Sequence, residues 1–168
     1  MTPHHFQIRE TYYSLSISTQ INDSHEMETM WRINLSTLQI YIHETYEDCP
    51  CYEQNQFAMD AEIQILFTCQ LNRDDRPARK CIREFYASRC DDGLLETHLP
   101  VPFRIVSILQ FSLYWILMIH NHMGYFNDIT SVRQYIGTIN SILDHFHCQL
   151  TPRGPVGCFD DEAWPFID

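Results

Sequence analysis

Cysteine and histidine are the residue types in this chain whose grouping could do chemistry. Cys49 and Cys51 flank Pro50, with His43 just upstream, and His145, His147 and Cys148 lie close together further along. Thiolate and imidazole ligands suit a tetrahedral zinc ion, but such sites place at least one ligand pair at CxxC-like spacing. Here the spacing is CxC, and on a helix residues 145 and 147 face apart, so the pattern argues against zinc and no cofactor is implied. His120 and His122 follow an apolar stretch and read as the polar end of a helix. No Ser-His-Asp order, glycine-rich phosphate loop or paired-carboxylate motif stands out, so the residues point to binding and away from catalysis. The charge runs "RDDR" and "DDE" read as solvated loop faces.

The bulk properties bound what can hold such residues. The chain has 168 residues, which favours one domain spanning 1–168 with a well-buried core. Apolar content of 45% and charged content of 20% are those of a globular protein. A net charge of −11 repels nucleic acid and anionic membranes. The seven cysteines are odd in number and scattered, and "MTPHHFQIRETYYS" has no apolar signal region. Together these favour free thiols in a reducing compartment.

The elements that must position these groups read as helices. Residues 6–18 read as a helix, although Tyr13, Leu15 and Ile17 also alternate like a strand. Over 28–47, Met27, Trp31, Leu35, Leu38, Ile42 and Tyr46 form one stripe at helical spacing, stopped at Pro50. Met59, Ile63, Leu66, Phe67 and Leu71 give a second stripe over 57–71. Ala78, Cys81, Ile82, Phe85 and Tyr86 give a third over 78–90, with Pro77 at its start and Gly93 beyond its end. Val132, Ile136, Ile139, Leu143, Phe146 and Leu150 mark a helix over 129–148, which Asn127 or Asp128 can cap. "CFDDEAWPFID" reads as a short last turn. The fold class expected is all-α, with six or seven helices.

Between the third and last stripes lies "FRIVSILQFSLYWILMIHNH", residues 103–122. A membrane span needs about 20 apolar residues; this run is barely long enough, contains Arg104 and lacks flanking basic clusters. Amphipathic helices on both sides need an apolar partner, so it reads as the buried centre of a helical bundle. That plan resembles the Bcl-2 family, and the local residues carry the resemblance. "FRIVSILQF" is similar to the BH1 motif NWGRIVAFFxF, with Arg104, Ile105 and Val106 at its RIV and Phe111 at its later Phe. "LDHFHCQLTPRGPVGCF", residues 143–159, looks like the BH2 region, with Leu150, Gly154 or Gly157, and Phe159 at its Ile, Gly and final Phe places. The missing tryptophans of both motifs resemble the divergence of viral members.

The resemblance implies a viral-type anti-apoptotic protein without catalytic activity. Its partners would be the amphipathic BH3 helices of pro-apoptotic proteins of the Bax, Bak and BH3-only type, held in a hydrophobic groove. Arg104 would pair with the ligand's aspartate. Phe103, Val106, Ile42, Tyr46, Met59, Ile63, Phe67, Ile82, Phe85 and Tyr86 would be groove-wall candidates. The location implied is the host cytoplasm or the mitochondrial outer membrane. Two alternatives stand beside it: a modulator of innate-immune signalling on the same fold, and a zinc-dependent viral adaptor.

Overall fold

The computed structural model describes residues 12–17, 24–101, 108–152 and 154. The first helix, α1 (His25–Ile40), starts where Ser24 Oγ accepts from the Met27 N–H at 3.3 Å, with Glu26 and Glu28 in its first turn. Both acids suit the positive end of the helix dipole. It ends seven residues before the expected boundary at 47, because Ile42 and Tyr46 leave the helix and bridge each other across a tight antiparallel turn. A spacing of four serves a helix stripe and a bridged turn alike, and both side chains enter the core, each 1% exposed.

The expected helix over 6–18 is also corrected in its described part. Residues 12–17 have no helical turn. Tyr13 instead donates its N–H to the Ile42 carbonyl at 2.7 Å, and Leu15 packs into the core. The alternation of Tyr13, Leu15 and Ile17 was the better guide.

A short strand, β1 (Gln56–Phe57), leads directly into α2 (Ala58–Leu71). Ala58, Ala61, Ile65 and Cys69 bury one face of α2, while Ile63 and Phe67 stay exposed on the other. Next, α3 (Arg76–Ala87) begins with Pro at its first turn and buries Ala78, Cys81, Ile82 and Phe85, the expected stripe. A hairpin closed by an Arg89–Leu95 bridge follows, with Gly93 at φ +86°, a left-handed turn position that suits a residue without Cβ. Strand β2 (His98–Leu99) then pairs antiparallel with β1, Gln56 opposite Leu99 and Phe57 opposite His98. No strand was expected from the sequence; two residues are too few for alternation to show.

The apolar stretch supplies α4 (Phe111–Phe126). Phe111, Ser112, Trp115, Met118, Ile119 and His122 are buried at three- and four-residue spacing, whereas Leu117 is 46% exposed. The expectation of a helix buried all round is therefore corrected: α4 buries one face, chiefly against α2 and α3. Trp115 fixes the contact by donating Nε1–H to the Ile82 carbonyl at 2.9 Å. His120 to His122 lie within α4, which runs on to Asn127 in a left-handed cap. The final expected helix is two pieces, α5 (Ile129–Arg133) and α6 (Ile136–Cys148). Asp128 caps α5 by accepting from the Ser131 N–H at 3.1 Å. The last turn expected from "CFDDEAWPFID" lies outside the described residues. Among those described, no helix is long and apolar enough to cross a membrane.

Candidate functional site

The expected groove residues do not come together as one wall. Ile42, Tyr46, Ile82 and Phe85 are core residues, and Met59 and Tyr86 pack partly buried against them. Only Ile63 and Phe67 face outward, into an apolar cleft of about 400 Å³ between α1 and α2 lined also by Trp31, Leu35 and Leu38. Phe103, Arg104 and Val106 lie outside the described residues.

What the fold does bring together is carboxylates, on the loop from Tyr46 to Ala58. Both of its ends are pinned. Gln56, 1% exposed, accepts the Tyr46 N–H on Oε1 and donates Nε2 to Glu84 Oε2, each at 3.3 Å. The Tyr46 hydroxyl meets Thr68 Oγ1 at 2.8 Å, and Gln64 Nε2 donates to the Glu47 carbonyl at 2.9 Å. Inside the loop the chain turns back on itself: the Asp48 N–H reaches the Asn55 carbonyl at 2.9 Å and the Gln54 N–H the Cys49 carbonyl at 2.8 Å. Gln54 carries the turn at φ +51°, which is uncommon for a residue with a Cβ. Its side chain donates to the Pro50 carbonyl at 3.1 Å.

This closed loop presents Tyr52, 89% exposed, and Glu53 at its tip. It also sets Asp48 beside Asp60 in the first turn of α2. Asp60 holds its proton more tightly than a free aspartate. Burial is the main cause, and the Asp48 carboxylate adds charge repulsion and a hydrogen bond that favours the protonated form. The Asp60 backbone N–H opposes the shift without cancelling it. His43 Nδ1 stands 3.2 Å from Glu47 Oε2 at the edge of the same loop, and Phe57 stacks on His98 at 4.9 Å just beyond it.

No pattern in the chain announces this pair, since Asp48 and Asp60 are joined by a loop and belong to no common periodicity. The one available signal was an acid-rich run, "ETYEDCPCYE", ending four residues before α2 begins. Other buried acids have structural partners. Glu62 is 8% exposed and its pKa is raised by burial, against a 2.7 Å bond from Asn121 Nδ2. Asp74 takes Arg76 and the Tyr13 hydroxyl, and Asp75 takes Arg79 and His122. Among the described residues no three His, Cys, Asp or Glu side chains gather as metal ligands.

No protein-family model and no curated protein matches the sequence. Two solved structures are similar in fold. A rhamnosidase from Klebsiella oxytoca with rhamnose bound matches with a TM-score of 0.74 at 18% identity, over 88% of this chain and 29% of that one. A GH78 family rhamnosidase of Bacillus sp. GL1 matches with a TM-score of 0.81 at 17% identity, over 94% of this chain and 16% of that one. The chain therefore spans under a third of the length of either enzyme.

These likenesses overturn the Bcl-2 resemblance. The fold is mostly helical, as expected, but it is that of a rhamnosidase segment and not of a Bcl-2 bundle. With the family go its anti-apoptotic function, the viral-type character and the BH3 helices expected as partners. The expectation of a chain outside catalysis falls on the same finding, because both structural neighbours are rhamnosidases. The physical reason is visible in α4. An apolar helix followed by an amphipathic one is common to many helical layers, and "RIV" before Phe111 was too short a match to separate them.

Proposed function

We propose that this chain is part of a glycoside-cleaving enzyme acting on a rhamnoside, and that Asp48, Glu53 and Asp60 are the groups that meet the sugar. The observation that carries the reading is the Asp48–Asp60 contact, on a pinned loop, in a fold similar to segments of two rhamnosidases. Glycoside cleavage requires a proton for the departing oxygen and a second carboxylate that acts as nucleophile or activates water. Asp60, with its raised pKa, retains a proton at a pH where ordinary aspartates have lost theirs. When that proton passes to the departing oxygen, the O–H bond of Asp60 breaks and the negative charge stays on Asp60.

The pair cannot supply both roles. Catalytic carboxyls stand about 5–5.5 Å apart in retaining enzymes and about 6.5–9.5 Å apart in inverting ones, farther than two carboxyls in hydrogen-bond contact. The second role thus falls to another acid, and Glu53 on the same loop is the candidate within this chain. Tyr52 beside it offers an exposed ring face of the kind that stacks on a sugar.

The test is hydrolysis of an aryl rhamnoside by the full protein. Asp60→Asn and Glu53→Gln should each lower kcat/KM by about 10²–10⁴, the usual weight of a general acid or base, with an unchanged far-ultraviolet dichroism spectrum. Turnover by Asp60→Asn equal to that of the unaltered protein would remove the pair from the reaction. Absence of hydrolysis of any aryl glycoside by the unaltered protein would remove the function.

A further inference from the structure

A second concavity, of about 510 Å³, lies between the end of α3 and the first half of α6 and is separate from the carboxylate loop. Tyr86, Arg89, Gly93, Gln134, Thr138 and Ser141 line it. No carboxylate is among its lining residues, and Arg89 makes no ion pair among the described residues. In a chain with a net charge of −11, an arginine facing a cavity without an acid partner is a specific feature.

The guanidinium is held in place without being consumed. It lies over the Tyr86 ring at 4.2 Å from the centroid, and Nη1 donates to Thr138 Oγ1 at 3.1 Å. One of its five N–H donors is thereby used and the rest are available to a planar anion. Its backbone is equally fixed. Arg89 bridges to Leu95, the Cys90 N–H reaches the Leu94 carbonyl at 2.8 Å, and the Leu95 N–H reaches Ser112 Oγ at 3.0 Å. The backbone along this wall is open: a Cβ at Gly137 would meet nothing within 4 Å, and one at Gly93 would meet only Ser141 Cβ, at 3.8 Å. Around the cation stand the Gln134 amide and the Thr138 and Ser141 hydroxyls, which pair with hydroxyl groups and not with apolar surface.

We infer that this cavity binds a small hydroxylated carboxylate of the sugar-acid class, its carboxylate on Arg89 and its hydroxyls on Gln134, Thr138 and Ser141. The fork geometry of guanidinium and carboxylate favours this over a spherical anion. The ring face of Tyr86 is covered by the arginine, so a neutral sugar has no aromatic platform here. This site stands whether or not the chain cleaves glycosides.

Calorimetric titration of the full protein with glucuronate tests it, with glucose and inorganic phosphate as comparison probes. Glucuronate should bind saturably and glucose should not. Arg89→Ala should weaken binding at least tenfold. Ser141→Glu, on an exposed helix position that leaves Arg89 and its contacts in place, should do the same by supplying an internal carboxylate. Unfolding midpoints of both variants, read alongside, keep loss of fold apart from loss of binding. Absence of glucuronate binding, equal binding of glucose or phosphate, or full affinity in folded Ser141→Glu would each overturn the site.

Discussion

At the scale of single residues, burial and charge set the acidities that the molecule uses and those it spends on holding itself together. Asp60 is the group proposed to be of the first kind. Its folded pKa is raised, so keeping it ionised in the fold costs stability; that cost is absent below the unfolded pKa of about 3.9 and complete once the pH exceeds the folded value. Asp60→Asn should therefore be more stable than the unaltered chain in denaturant unfolding at neutral pH, with the difference closing near pH 4, while activity is lost. Equal stabilities at both pH values would show that neither burial nor Asp48 disfavours the charge. Asp74 and Asp75 are of the second kind. The Arg76 bonds hold Asp74 well below the usual carboxylate range, and the Tyr13 hydroxyl adds to them against the effect of burial. Burial alone would raise Asp75, but its bonds to Arg79 and His122 outweigh it and leave the pKa lowered. Depressed carboxylates stabilise above the unfolded pKa and lose that contribution as the pH falls through the folded one. Acid unfolding should accordingly shift to higher pH in Asp74→Asn, read by dichroism between neutral pH and pH 2. None of these pairings could be read from the sequence, where "RDDR" passed for a solvated loop. Local order in the chain does not reveal that Tyr13 and His122 arrive from distant segments.

The elements were more legible, because burial imposes period. The stripe of α3 appears at the residues expected, with Pro77 and Gly93 punctuating it as their backbone chemistry requires, whereas α2 forms where expected but buries Ala58, Ala61, Ile65 and Cys69 and leaves Ile63 and Phe67 of the expected stripe exposed. The misreadings came where two structures share one spacing. Ile42 and Tyr46 fit a helix stripe yet form a bridge, and the apolar run fits a wholly buried helix yet gives α4 one buried face. That face predicts its own energetics. Trp115 is fully buried and bonded to the Ile82 carbonyl, so Trp115→Ala should cost about 3–5 kcal/mol in chemical denaturation. Trp115→Phe should cost less but still measurably, because it removes the indole's bond to that carbonyl. At the junction of α4 and α5, Asp128→Ala should cost about 0.5–2 kcal/mol through loss of the Ser131 cap. No change in stability on either alanine substitution would contradict the contacts described.

At the scale of the whole molecule, the helices leave an apolar face uncovered. Ile63 and Phe67 are both more than 40% exposed on α2 and open, with Trp31, Leu35 and Leu38 of α1, onto the apolar cleft. Contiguous apolar surface of this kind favours association. The chain should bind a hydrophobic dye and self-associate with rising concentration, and Ile63→Lys with Phe67→Glu should suppress both without lowering the unfolding midpoint; sedimentation velocity reads the result. That exposed face is also part of why the sequence suggested a ligand-binding helical bundle. Amphipathic stripes announce a helical layer, but they do not say how the layers are wound or whether the outer faces are finished. The function followed from the wrong winding, and only the loop geometry and the likeness to two rhamnosidase segments redirected it. The central claim is that the loop of Asp48, Glu53 and Asp60 meets the sugar, and amide-resolved NMR of the protein titrated with rhamnose measures this directly. The account predicts saturable shifts concentrated at residues 48–60 and absent in Asp60→Ala; saturable shifts elsewhere, or none in this loop, would contradict it.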